Sequence, residues 1–422
     1  MREKWRAGLR TIIVSYLGFI GLGMTGGLLG LAWPTIHREF NVSLDAIGIL
    51  LLASTIGYLS ASFFSGPIAY RIGAGRMLAA ASAFSGLGLL AFSLNHSWIL
   101  FPVVMLLSGF GFGAIDAGIN AYVAQHHGVR AMNWLHGSFG IGTTIGPLIM
   151  RQVLTSGQAW PDGAVEPLLL RQVLETSGQS WRAGYVIVGA IMLVIALLFT
   201  LTQSWWLGVI VENETTNAQR KSALDVLKMP AVWFGIALFF LYAGLEATPG
   251  TWIYTLFTEA RGISVEAAGL WVSIYWGSFT IGRFLFGAII PYVNTISLSR
   301  VLMVGVVGGA LLLWWSPTPA LGFIGLTLIG FMEAPLFPMF VSDTPKRVGM
   351  ENAGNAIGFQ VSGAGFGVSM LPALAGLLSA HISLNVIPPF MAIAAVLVII
   401  VHEISVAWGR HLTRLATASV RS

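Results

Sequence analysis

Apolar runs long enough to cross a bilayer, about 20 residues each, alternate along the whole chain with short breaks carrying charge, proline or asparagine. Counting them gives about twelve spans, at 9–33, 46–70, 77–94, 98–124, 132–153, 183–203, 230–257, 267–291, 298–315, 319–342, 353–379 and 386–408. The pattern predicts an all-α integral membrane protein. Transmembrane strands would instead show segments of about ten residues with alternating polarity. The leading MREKWRAGLR runs into a long apolar stretch without a small-residue cleavage site, so it reads as a retained first span rather than a removed signal peptide.

The polar breaks carry a topology signal. With both termini in the cytoplasm, 16 Lys and Arg residues fall on that side and five, Arg38, Arg151, Arg171, Arg182 and Arg261, on the other, with Arg283 inside a span. Acids divide seven and seven, as expected when basic residues alone set orientation. The reading is a multi-pass protein of a bacterial cytoplasmic membrane. The longest polar cytoplasmic stretch, 204–228, divides a six-span half (1–203) from a second (229–422).

The halves match in detail. Gly48 and Gly66 correspond to Gly269 and Gly287 at an offset of 221, Asp116 to Glu333 at 217, and Gly140, Gly142 and Pro147 to Gly365, Gly367 and Pro372 at 225. The acid and proline matches weigh most in a glycine-rich chain. Such duplication is a transporter design. A local repeat, RQVLTSGQAW at 151–160 and RQVLETSGQSW at 171–181, reads as a loop duplication of the kind surface loops accept.

Composition narrows the classes further. The chain of 422 residues is 56% hydrophobic and 9% charged, with 51 glycines and no cysteine. Soluble domains carry about 25% charged residues, so a soluble enzyme, a disordered chain and a nucleic-acid binder are excluded. The net charge of +5 is accounted for by topology. Without cysteine there is no disulfide or thiolate metal site, and no cofactor or metal is expected. None of the four lysines follows a glycine, which removes a phosphate-binding Gly-Lys loop. GLGMTG at 21–26 matches a dinucleotide fingerprint by letters only, since it lies inside span 1.

Three acids fall deep inside spans, Asp116, Glu246 and Glu333, while Glu403 lies near the cytoplasmic end of span 12. Each of the three costs about 2.5–3.5 kcal/mol near a helix centre, so such residues face a cavity or a partner. They sit on spans 4, 7 and 10, which are equivalent if each half is a 3+3 inverted repeat. The alternative is a packing residue or an ion-pair partner. Asp116 and Asn120 are spaced i,i+4, and Asn133 and His136 i,i+3, so each pair shares a helix face. Together they offer donors and acceptors for hydroxyl groups, and His136 reads either as a proton relay or as a hydrogen-bonding residue. Pro249 and Gly250 are expected to interrupt span 7. Trp252, Tyr254, Trp271, Tyr275 and Trp276 offer aromatic faces to a sugar ring or belong to an interfacial belt. Gln360 on span 11 is another polar candidate. Arg283 reads as a snorkelling or gating cation, and His126, His127 and Arg130 as a solvated turn.

The pattern resembles the major facilitator superfamily over almost the whole chain. GPIAYRIGAGR at 66–76 is similar to that family's loop motif between spans 2 and 3, matching at Arg71, Gly73 and Arg76, with Tyr70 where the family has an acid. IDAGINAYV and MNWLHGSFGIG resemble the fucose:proton symporter group and its sodium-glucose transporter-like relatives. That resemblance implies roles for Asp116 and Asn120, and for Asn133 and His136. GLEATPGTWIYT is similar to span 7 of the same relatives, pointing to Glu246 and Trp252. Span 1 lacks the acid that the fucose permease carries there.

The expectation is a secondary transporter, not an enzyme. It would move a small polar solute, a sugar or polyol, by alternating access and proton symport. Asp116 and Glu246 are the proton-coupling candidates. Asn120, Asn133, His136, Glu246, Trp252, Tyr275 and Gln360 are the solute-binding candidates, and Arg71, Arg76, Arg283 and Glu333 the gating ones. Expected partners are the solute, a proton (with sodium open) and the lipid bilayer, with no nucleic acid, and the chain is expected to be a monomer. Alternatives are efflux of a drug or lipid by proton antiport and a solute sensor that does not transport.

Overall fold

The computed structural model describes residues 2–156, 180–206 and 223–419. Most of the second copy of the local repeat and most of the central linker therefore lie outside the described residues. Among the described residues, twelve membrane spans form two six-span halves. Spans 2 to 6 are single helices, Ile47–Ile72, Ala74–Leu94, Phe101–His126, Gly128–Ser156 and Ser180–Leu201. Spans 7, 8, 9, 11 and 12 are Pro230–Thr255, Val265–Ile289, Thr295–Trp315, Met350–His381 and Ile387–Ser419. Ten of the twelve are long and apolar enough to cross a membrane by themselves. The other two, spans 5 and 8, are long enough but more polar, and they pack against each other where the halves meet.

Spans 1 and 10 are each two helices. Span 1 divides into Arg2–Thr25 and Leu28–Glu39 at Gly26 and Gly27. Span 10 divides into Pro319–Glu333 and Leu336–Val348 at Pro335, which has no amide hydrogen to continue the ladder. Span 7 corrects the expectation of a break at Pro249. The helix runs through Pro249 and Gly250 to Thr255, and the irregularity comes later, as a π-turn at Leu256–Ala260. A helix packed on all sides can re-satisfy the carbonyl that a proline frees. Positive backbone angles fall on Gly73 (φ 88) and Gly349 (φ 87), where spans 2 and 10 turn into their successors without room for a longer loop.

The end of the first half opposite the termini is held by a buried cation. Arg182 pairs with Glu39 at 2.5 Å, donates to the carbonyls of Ser93 and Asn95, and lies over the Trp181 ring. Phe92, Phe101 and Tyr185 close around it. Arg182 is 4% exposed, so this charge serves the structure.

The halves touch at the end away from the termini. Arg38 of span 1 pairs with Glu259 after span 7 at 3.0 Å, and Arg151 Nε of span 5 donates to the Glu266 carbonyl of span 8 at 2.8 Å. A Cβ on Gly30 would stand 2.2 Å from the Gly250 carbonyl oxygen, so span 1 lies directly on the backbone of span 7. Spans 2 and 11 show how the contact changes with depth. Residues 48, 59 and 66 share one face of span 2, and 373, 365 and 358 one face of span 11. A Cβ on Gly48 would meet Ala373 at 2.8 Å and one on Gly365 would meet Leu59 at 3.1 Å, but Gly66 and Gly358 have open space. The two helices diverge toward the side of the termini.

Candidate functional site

Glycine brings spans 2 and 4 together. Cβ atoms on Gly109 and Gly113 would stand 2.1 and 2.2 Å from the carbonyl oxygens of Ser54 and Tyr58, so the backbones touch. That approach lets the Tyr58 hydroxyl donate to Asp116 Oδ2 at 2.5 Å. The Asn120 amide donates to Oδ1 at 3.1 Å, so both carboxyl oxygens of Asp116 are engaged. The i,i+4 relation of Asp116 and Asn120 is therefore used within the protein, leaving the Asn120 carbonyl oxygen for a ligand.

The second half repeats this construction at one offset. Gly330, Tyr275 and Glu333 stand 217 positions after Gly113, Tyr58 and Asp116. A Cβ on Gly330 would lie 2.6 Å from the Tyr275 carbonyl oxygen. The Tyr275 hydroxyl lies 3.1 Å from Glu333 Oε2, again across spans 8 and 10. The acid match was legible in the sequence, whereas its tyrosines were not singled out as acid partners. Tyr58 was missed altogether, although the shared offset of 217 would have found it.

Glu246 lies on span 7 of the second half, beside Tyr242. Arg283, half-buried on span 8, acts electrostatically on Glu246 of span 7, favouring its charge, and on His136 of span 5, opposing a charge there. Its guanidinium lies 4.5 Å from the centre of the Phe279 ring, and its Nε has no hydrogen-bond partner among the described residues. His136 sits edge-on to Phe19 of span 1 at 6.0 Å. The side chain of Asn133 lies outside the described residues. Trp276 is 8% exposed, and its indole N–H also lacks a partner among them.

Other sequence candidates are placed elsewhere. Gln360 accepts from Thr344 at 2.8 Å and is buried against Gly235, inside the second half. Trp252 is fully buried and donates to the Pro372 carbonyl at 2.8 Å, which fixes span 7 to span 11. Trp271 stacks on Phe323 at 4.2 Å. Tyr275 and Glu333 are buried between spans 7, 8 and 10. Arg71 and Arg76 are exposed on the side of the termini, where Arg76 donates to Gln203 at 3.3 Å. A separate cavity of about 600 Å³ opens at the other end, around Pro34, His37, Arg38, Tyr254 and Glu259, and of the sequence candidates Tyr254 alone lines it.

Twelve helices in two matched halves, with acids, amides and unpaired donors where the halves meet, define a membrane transporter rather than an enzyme. The sequence profile of the Major Facilitator Superfamily matches residues 15–362, and the chain belongs to that family. The sodium-dependent glucose transporter 1A of Mus musculus is 22% identical over 390 residues, covering 87% of this chain and 89% of that one. A bacterial homolog of the human lysosomal transporter Spinster, solved inward-facing and unoccupied, superposes with a TM-score of 0.75 at 13% identity, covering 96% of this chain and 97% of that one. The E. coli fucose:proton symporter in the outward conformation gives 0.64 at 15% identity, covering 94% and 99%. These likenesses extend the fold over almost the whole chain.

Proposed function

We propose that this transporter carries a sugar or polyol by alternating access and couples the movement to a proton through Asp116. The observation that carries the reading is the setting of Asp116. Its hydrogen-bond partners, Tyr58 and Asn120, are neutral, so a proton can come and go without breaking an ion pair. Solute hydroxyls would meet the Asn120 carbonyl, Asn133, His136 and the unpaired Trp276 N–H, a set with both donors and acceptors. Glu246 is the second proton candidate, and its neighbour Arg283 is the gate between the halves. Arg71 and Arg76 would act at the opening on the side of the termini. Gln360, Trp252 and Tyr275 would support the site through packing rather than by contact. With the termini in the cytoplasm, the conformation is inward-facing, closed outside by Arg38–Glu259 and Arg151–Glu266.

The sugar class is supported by the names of the glucose and fucose transporters this chain resembles. The mouse relative's name also favours one second reading, in which sodium replaces the proton. Counterflow of a panel of labelled sugars in proteoliposomes, with a pH gradient, a sodium gradient or neither, tests all of this. Sugar counterflow with accumulation following pH is expected. Accumulation following sodium alone would replace the ion, and binding without counterflow would indicate a sensor. Movement of amphipathic compounds in preference to sugars would indicate efflux.

A further inference from the structure

We infer that Glu333 is a second proton-binding site of this chain, in the C-terminal half, and that it holds its proton in the conformation described. The assignment comes from counting hydrogens around its carboxyl group. It stands whether or not transport is coupled through Asp116.

Glu333 is 0% exposed. Its Oε2 lies 3.1 Å from the Tyr275 hydroxyl, and Oε1 has no hydrogen-bond partner among the described residues. The Tyr275 hydroxyl also contacts the Glu246 carbonyl oxygen, at the shorter distance of 2.8 Å. A carbonyl can only accept, and a phenol has one hydrogen. Once that hydrogen goes to Glu246, the remaining contact is satisfied only if Glu333 supplies the donor and the tyrosine oxygen accepts. The other nearby phenol, Tyr242, donates to the backbone carbonyl of Glu333 at 3.0 Å. That carbonyl is available because Glu333 is the last residue of its helix.

The surroundings agree with the count. The groups facing Glu333 are Tyr242 and Glu246 from span 7 and Tyr275 from span 8. The nearby ionisable acid, Glu246, has the same sign when charged, and Arg283 acts on Glu246. Beside Glu333 is a gap of about 10 Å³ walled by Tyr242 and Leu245 of span 7, Met303 and Val306 of span 9 and Ala395 and Val398 of span 12, with no polar surface exposed to it. It lacks the two to four polar partners that would hold a water there. An ionised carboxylate would share one phenol hydrogen between two acceptors and face an apolar wall, whereas a protonated one leaves only Oε1 unpaired. Buried charge without a partner is far costlier than a buried neutral group. The matching acid differs, since both oxygens of Asp116 receive a donor.

Infrared spectroscopy of the purified full chain at neutral pH, without solute, reads this directly. Glu333→Gln should remove a carbonyl stretch belonging to a protonated carboxylic acid and leave the carboxylate bands unchanged. Tyr275→Phe removes the acceptor and should shift that same stretch to higher frequency. Loss of a carboxylate band in Glu333→Gln would overturn the assignment. So would an unshifted carbonyl stretch in Tyr275→Phe, which keeps the test open if the glutamine variant does not fold. Neither readout depends on transport, so failure here and failure of proton coupling are told apart.

Discussion

The closest approach between the halves gives a test of how they move. A Cβ on Gly30 would stand 2.2 Å from the Gly250 carbonyl oxygen and 2.9 Å from that of Thr251. Both are backbone atoms on span 7, so no side chain can turn aside. Gly30→Ala should therefore act as a wedge between spans 1 and 7 at the end closed in this structure. Overpacking costs about 1–3 kcal/mol, which shifts an equilibrium by about 5- to 150-fold. Because the wedge lies between halves, separating them at that end relieves it, and the cost should appear as a change of state rather than as unfolding. The chain has no cysteine, so pairs of spin labels can be introduced directly. Ser97 and Thr318 are exposed, one on each half, at the closed end. Labels at these two positions should show a longer distance in Gly30→Ala. Gly23→Ala is the control: its Cβ would stand 2.2 Å from the Phe139 carbonyl oxygen, within the first half, and it should lower Tm without lengthening the distance. An unchanged distance in Gly30→Ala with a lowered Tm would refute the idea that this contact distinguishes two states.

Arg151→Met keeps the apolar stem over Gly269 but loses a charge-assisted hydrogen bond of about 1.5–3 kcal/mol; it should lengthen the same label distance by population shift, and an unchanged distribution would remove that bond from the gate. Arg182→Met leaves Glu39 only the Trp181 indole N–H, at 2.8 Å, as a partner and should cost about 3–5 kcal/mol, read as a fall in Tm; a neutral result would mean the cluster at that end is dispensable. Asn120→Ala should weaken sugar binding about 2- to 12-fold, one neutral hydrogen bond of about 0.5–1.5 kcal/mol, measured by titration of the purified protein. Full affinity would move the site away from span 4.

Spans and halves were legible because bilayer crossing imposes length and apolarity on every helix, and most limits agree within a few residues, as for 46–70 against Ile47–Ile72. Faces were not. A helix apolar on all sides carries no amphipathic stripe to say which side meets which neighbour. Gln360 and Trp252, read from the sequence as site candidates, each hold spans together, a role that no stripe announces. The same limit hid Tyr58, whose role depends on two helices touching through Gly113. Arg182 counted as an external loop charge, yet its burial follows from the aromatic residues around it, which are far apart in sequence. The match of Asp116 with Glu333 survived because duplication preserves spacing even where the acid changed.

Coupling through Asp116 is the central claim, and Asp116→Asn addresses it most directly. The amide keeps the shape of the carboxyl group and one acceptor for Tyr58 or Asn120, but it cannot exchange a proton. In proteoliposomes with an imposed pH gradient, the variant should lose uphill accumulation of the sugar found by counterflow while retaining exchange at least in part. Glu246→Asn would change length as well as charge, so Glu246→Gln is the matched comparison. Continued accumulation against a gradient by Asp116→Asn would contradict the account, and its loss in Glu246→Gln alone would move the coupling to span 7.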